Sequence, residues 1–352
     1  MNPLFTPVRL RDLEVRNRIW LPPMCQYHAT DGMPEDWHLV HYGARAAGGF
    51  GLIIAEASGV VPEGRISPAC TGLWNDEQAA AWARIVSFVH AQGAAMAIQL
   101  NHAGRKASTA PWLPGAQQGT LIDDGWPTVA PSPVPQEGLD VPRAMSEAEI
   151  EALPGLFAAA AIRAVRAGFD TVEIHGAHGY LLHQFLTPLA NHRTDDWGGS
   201  FDNRTRLLRA VVRSVRQVLP EGMPLLVRLS ATDWIEGAWD LEQSVRLVSL
   251  LIDDGVDLID VSTGGAAQAV IPVGPGYQVE FAEEIKRRTG MPTAAVGMIT
   301  EPEQAASILE QGRADAVLIG RAGLRDASWP LRAAQENEIP YPDSYWRATP
   351  RR

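Results

Sequence analysis

The feature that most constrains this chain is a repeated alternation. Eight short apolar runs, at 18–21, 52–56, 95–100, 171–175, 225–229, 258–261, 293–296 and 316–319, read as strands. Amphipathic runs at 76–92, 146–167, 202–218, 241–254, 277–289 and 301–311 read as helices between them. Continuously apolar strands are expected where both faces of a sheet are covered. Eight units of strand then helix predict a closed parallel (β/α)8 TIM barrel in the α/β class. An open doubly wound sheet is the structural alternative. It usually carries a glycine-rich dinucleotide turn after its first strand, and here that place holds Pro22, Pro23, Met24 and Cys25.

Two segments depart from the repeat. Residues 4–17 suggest an N-terminal hairpin that plugs the barrel bottom. Residues 103–143, rich in Pro, Gly and Trp, follow the third strand and suggest a lid insertion over the catalytic face. No domain boundary is evident, so 1–352 is expected to be one domain. Its tail, about 340–352, carries Tyr341, Tyr345 and Trp346, unusual for a solvated end.

Composition narrows the function. A formal net charge of −11 argues against nucleic acid as a partner. Cys25 and Cys70 cannot build a disulfide framework, which favours a reducing, cytoplasmic setting. The N-terminus lacks the basic segment and apolar run of a signal peptide. The alanine run at 158–161 is broken by Arg163 and Arg166, so no membrane span is expected.

In an α/β barrel the chemistry lies at the carboxyl ends of the strands. The fourth strand runs through DTVEIHGAHGY, from Asp170 to Tyr180, and ends in His175, His178 and Tyr180. Two imidazole N–H groups can grip one substrate oxygen, and a phenol beside them can supply a proton. The structural alternative is a pair of core histidines. A metal reading lacks an obvious third ligand. The last two strands lead into Gly297 and into Gly320-Arg321. Glycine backbone at a helix start suits a phosphate, and Arg321 can add a bidentate grip.

These residues resemble the Old Yellow Enzyme family of FMN-dependent ene-reductases. The matching pieces are LFTP from Leu4, Asn17-Arg18, PPMCQY at 22–27, QLNHAGR at 99–105, HGAHGY from His175, NHRTDDWGGS at 191–200, Asn203-Arg204 and Ile319-Gly320-Arg321. Met-Cys-x-Tyr and the His-His pair are similar to the thermophilic-like, or xenobiotic-reductase-like, subclass. The resemblance implies bound, non-covalent FMN, with NADPH or NADH as hydride donor. It implies that Pro23, Met24, Cys25 and Ala57 line the flavin ring, that Gln99 meets its pyrimidine edge and that Arg228 lies near N1 and C2=O. Gly297, Gly320 and Arg321 would hold the phosphate. His175, His178 and Tyr27 would bind substrate and Tyr180 would protonate it. Lys106 would contact substrate or brace the lid. A homodimer or homotetramer is implied, and Trp346 or Arg347 could reach a neighbouring subunit's site. The implied reaction is a two-step transfer of hydride to electron-poor alkenes such as enones and nitroalkenes.

Other readings remain to be weighed. His38 and His41 share the same spacing on an expected helix and read as surface or capping residues; Cys25 could be simply buried, and Cys70 carries no role. A flavin-binding barrel used for storage or signalling would need no His-His-Tyr set. A Schiff-base aldolase needs a lysine inside the barrel, and the chain's two lysines, Lys106 and Lys286, include none at the sixth strand. Two cysteines are too few for an iron–sulfur relative.

Overall fold

The computed structural model describes residues 2–114, 122, 125–337, 339 and 341–349. A 3-10 turn (Pro3–Phe5) leads into an antiparallel hairpin, β1 (Val8–Leu10) and β2 (Leu13–Val15). There follow β3 (Ile19–Leu21), α1 (Asp36–Ala47), β4 (Leu52–Gly59), α2 (Asp76–Ala91) and β5 (Ala95–Asn101). A short parallel pair, β6 (Val129–Ala130) and β7 (Arg143–Ala144), lies in the insertion. The chain continues through α3 (Glu147–Ala167), β8 (Thr171–Gly176), α4 (Leu181–Leu186), α5 (Phe201–Val218), β9 (Leu225–Ser230) and α6 (Leu241–Asp253). It ends with β10 (Leu258–Ser262), α7 (Val279–Thr289), β11 (Thr293–Ala295), α8 (Pro302–Glu310), β12 (Ala316–Leu318), α9 (Arg321–Arg325) and α10 (Trp329–Glu336).

Strands β3, β4, β5, β8, β9, β10, β11 and β12 pair in that order, all parallel, and β12 closes onto β3 through Val317 opposite Ile19. Each expected strand falls on a barrel strand. The helices start where the sequence offers caps. Asn75 with Gln78, and Ser146 with Glu149, form capping boxes for α2 and α3. Ser200 and Asp240 accept from the first turns of α5 and α6.

The second strand differs from expectation. It runs to Gly59, not Glu56, with a register shift between Ala55 and Ser58. Glu56 looks like the end of an apolar run, yet its side chain is fully buried. His38 Nε2 lies 3.2 Å from Glu56 Oε1, and the Gln26 N–H donates to Glu56 Oε2 at 3.1 Å. A satisfied buried carboxylate does not end a strand.

Residues alternate along every strand. One set packs outward against the helices in the main apolar core. The other set points into the barrel. Trp20, Leu52, Ile54, Ala97, Leu226, Leu258, Ala294, Ala316 and Leu318 form one inner cluster with Leu10 and Val15 of the hairpin. The hairpin therefore closes the bottom. Two residues further along their strands, with the same parity, stand Gln99, Arg228 and Asp260, and the neighbouring β8 adds Glu173. The barrel interior thus changes from apolar to polar along its axis.

In the insertion, residues 115–121, 123 and 124 lie outside those described. Of the tail, 341–349 are described and form a 3-10 helix, Asp343–Ala348. Among the described residues no helix is long and apolar enough to cross a membrane.

Candidate active site

The carboxyl ends of the strands bring most of the expected residues together. The His175 ring centroid lies 5.2 Å from that of His178 and 4.9 Å from that of Tyr180, both in edge-to-face geometry. The turn carrying them is tightly held. His178 adopts φ of 57° and Gly179 φ of 69°. A Cβ on Gly179 would meet the Gly265 carbonyl oxygen at 2.2 Å, so the close approach of these two loops requires glycine there. Lys106 Nζ donates to the carbonyls of His178 (2.9 Å) and Gly265 (3.1 Å) and sits 5.1 Å from the centroid of the Tyr180 ring. These bonds tie Lys106 to this turn, a role that neither the expected substrate contact nor the expected lid brace included.

The His175 proton can be assigned from its partner. The Ala177 N–H donates to His175 Nδ1 at 3.3 Å, which leaves the proton on Nε2. His178 Nε2 lies 2.7 Å from Ser262 Oγ. Gln278 Oε1 already accepts from Thr263 Oγ1 at 2.7 Å, against 3.3 Å for Ser262. An amide oxygen can accept twice, so the Ser262 hydroxyl can donate to Gln278 and accept from His178 Nε2–H, or donate to Nε2, and either His178 ring nitrogen can carry the proton. Burial, and next the Arg228 charge, hold both imidazoles well below their ordinary pKa, so both are neutral donors at pH 7. Burial pushes the Tyr180 phenol up, so it keeps its proton.

Beside this turn lie two cavities. One, of about 340 Å³, is lined by Pro22, Pro23, Met24, Arg228, Ser262, Tyr277, Gly297, Gly320 and Arg321 among others. It joins the residues expected at a flavin ring to those expected at a phosphate. The other, of about 310 Å³, is lined by Tyr27, Lys106, Thr109, Trp112 and Tyr180. His175 and His178 line neither cavity; His175 is 3 % exposed. Ala57 is buried in a small cluster with Cys70, against which Cys25, Tyr27 and Tyr180 pack.

Gln99 and Arg228 are both buried in the barrel. Arg228 Nε lies 3.0 Å from Asp260 Oδ2. Its terminal nitrogens have no protein acceptor among the described residues, which leaves them for a bound group.

Several positions correct or extend the expectation. His38 does cap α1, accepting from the Glu35 N–H at 2.9 Å, but it is fully buried against Glu56. His41 is also buried, with its pKa lowered to about 3 by burial, so neither is a surface residue. Trp346 is 59 % exposed, and the nearby Tyr341 and Pro342 line a groove with Phe5, Arg16 and Asn17 at the opposite end of the barrel. Within one chain Trp346 does not join the site. Cys70, given no role, sits in the small cluster against which Cys25 packs, with its Sγ 3.2 Å from Ser67 Oγ. Also unassigned were Ser262, His183, Glu173 and Asp260. His183 accepts from the Gly179 N–H at 2.9 Å and lies 3.1 Å from the buried Asp233, so this pair anchors the His175–Tyr180 turn. The His183 spacing from His178 was visible, but its acid partner lies 50 positions away.

Comparison with known proteins agrees with this geometry. The profile of the NADH:flavin oxidoreductase / NADH oxidase family matches residues 3–339. An NADPH dehydrogenase of Bacillus subtilis (strain 168) is 44 % identical over 349 residues, 98 % of each chain. One of Bacillus pumilus (strain SAFR-032) is 46 % identical over 350 residues, again 98 % of each. Among solved structures, morphinone reductase superposes with a TM-score of 0.81 at 31 % identity, covering 95 % of this chain and 90 % of that one. The Old Yellow Enzyme homologue from Zymomonas mobilis gives 0.79 at 30 %, covering 97 % and 96 %. This chain therefore belongs to the NADH:flavin oxidoreductase / NADH oxidase family, barrel oxidoreductases of the Old Yellow Enzyme type whose cofactors are FMN and a nicotinamide.

Proposed function

We propose that this protein is an NAD(P)H-dependent ene-reductase for α,β-unsaturated carbonyl and nitro compounds. The observation that carries the reading is the convergence of His175, His178 and Tyr180 beside a cavity that joins Arg228 to Gly297, Gly320 and Arg321. The residues fit FMN. Gly297, at φ 121°, is backbone that a side chain would crowd, since a Cβ there would meet Gln278 Nε2 at 2.9 Å. Arg228 offers free terminal donors to a group that gains negative charge.

FMN, when bound, would supply the hydride chemistry that links NADPH or NADH to the alkene. The chain's residues do the rest. Gly297, Gly320 and Arg321 bind the phosphate. Gln99 and Arg228 meet the pyrimidine edge, while Pro23, Met24, Cys25 and Ala57 line the ring. The His175 Nε2–H and a ring N–H of His178 donate to the carbonyl or nitro oxygen and stabilise its developing charge. Tyr180 gives its phenolic proton to the α-carbon. Tyr27 packs against the substrate, and the insertion after β5 covers it. In a homodimer or homotetramer a second copy would bring Trp346 to the mouth.

An anaerobic absorbance titration tests this. The purified protein should be yellow, bleach with NADPH and recolour on adding cyclohexenone or a nitroalkene. A flavin that bleaches but never recolours with any such alkene would leave a flavin-binding barrel without this chemistry.

A further inference from the structure

Four buried polar side chains from four successive barrel strands form a chain beneath the strand ends. Gln99 on β5, Glu173 on β8, Arg228 on β9 and Asp260 on β10 are 1 %, 0 %, 7 % and 0 % exposed. Gln99 Nε2 donates to Glu173 Oε1 at 2.7 Å. The Glu173 and Asp260 carboxyl groups are near enough for each to shift the other's protonation. Asp260 Oδ2 lies 3.0 Å from Arg228 Nε.

Ionised carboxylates only accept, so two of them cannot bond to one another. Glu173 Oε2 and both Asp260 oxygens are buried without a hydrogen-bond donor among the described residues. One proton on Glu173 Oε2 resolves the arrangement. It donates to Asp260, Oε1 still accepts from Gln99, and the ionised Asp260 faces Arg228. The group is then neutral, as a site shut off from water requires.

We propose that Glu173 and Asp260 hold one proton between them, resident on Glu173, and act as positioning residues for Gln99 and Arg228. This rests on the reading above that those two residues meet the flavin. Glu173 occupies the Gln99 amide nitrogen and so leaves its carbonyl oxygen as an acceptor toward the cofactor. Asp260 fixes the Arg228 Nε and aims its remaining donors. Burial, and then the Asp260 charge, push Glu173 well above the usual carboxylate range, while Arg228 works against the rise at Asp260.

Glu173→Gln separates this from a merely structural role. The introduced amide accepts from Gln99 and donates to Asp260, copying a protonated acid without changing charge. FMN affinity and the flavin midpoint potential should match the wild type. Glu173→Leu, which leaves Gln99 unpaired, should weaken FMN binding by at least about tenfold. Infrared spectra should show a buried protonated carboxyl band at pH 7 that is absent from Glu173→Gln. In Asp260→Asn the remaining acid faces Arg228 alone, ionises, and the band goes as well. A positive shift of potential in Glu173→Gln would mean an ionised Glu173 and overturn the proposal. So would a wild type with no acid band, or a band that survives in either variant. The infrared arm needs no cofactor. Failure to bind FMN would therefore sink the flavin reading while this proton is still judged on its own band.

Discussion

The two halves of the barrel interior use the same strands for opposite ends. Near the bottom, Leu52, Ala97, Leu226, Leu258 and Ala316 pack on Leu10 and Val15 of the hairpin, with no ionisable group among them. Two residues higher, the same inward parity presents Gln99, Arg228 and Asp260, beside Glu173 and His175 of β8. The lower half buries apolar area and stabilises the fold. The upper half places charge where water is excluded, which weakens stability but sharpens electrostatics. One residue step of two along a strand separates these tasks.

Substitutions should respect that division. The largest effect belongs to the top. Tyr180→Phe should slow alkene reduction about 10²–10⁴-fold while flavin reduction by NADPH is nearly unchanged, as read by anaerobic stopped-flow absorbance. Equal losses in both half-reactions would reject the proton-donor role. Next, His175→Ala should cost about 10²–10³-fold in the alkene step, as loss of an oxyanion donor does. The converse belongs to the bottom. Leu226→Ala should destabilise by about 2–5 kcal/mol in urea unfolding, with kcat of the folded protein preserved. A fall in kcat there would blur the two halves.

Acid should strike through buried histidines. Burial lowers His102 to about 4 and His41 to about 3, and lowers His175 and His178 as well. Unfolded histidines take up protons first, at about 6.5. Stability is therefore full above about pH 7 and falls below about 6.5, by up to about 1.4 kcal/mol per pH unit for each histidine until its folded pKa is reached. Thermal melts from pH 8 to 4 check the sign. The smallest expected change is Ser262→Ala, which removes the hydrogen-bond partner of His178 Nε2 and should slow the alkene step roughly fivefold, about 1 kcal/mol.

Legibility followed the same line. The strand and helix periods are local, so the barrel was readable, as were the hairpin and the His175–His178–Tyr180 turn. Glu56 was misjudged as a strand end because its partners, His38 and Gln26, come from other segments. Glu173 and Asp260 were passed over for a related reason. Each is one acid in an apolar strand, and only barrel closure gives it a neighbour. Cys25 and Cys70 show no spacing that announces their common cluster.

The order of hydrophobic and polar residues along the chain was enough to determine an eight-unit barrel, because helix and strand periods are set by each residue's nearest neighbours. It also determined which residues stand at the strand ends, since a strand's direction follows from the helix after it. Folding alone decided which of those side chains meet, which nitrogen of His175 is free and where two acids must share a proton. Those outcomes depend on distances between strands that are far apart in sequence, and burial there makes each unpaired charge too costly to leave unmatched.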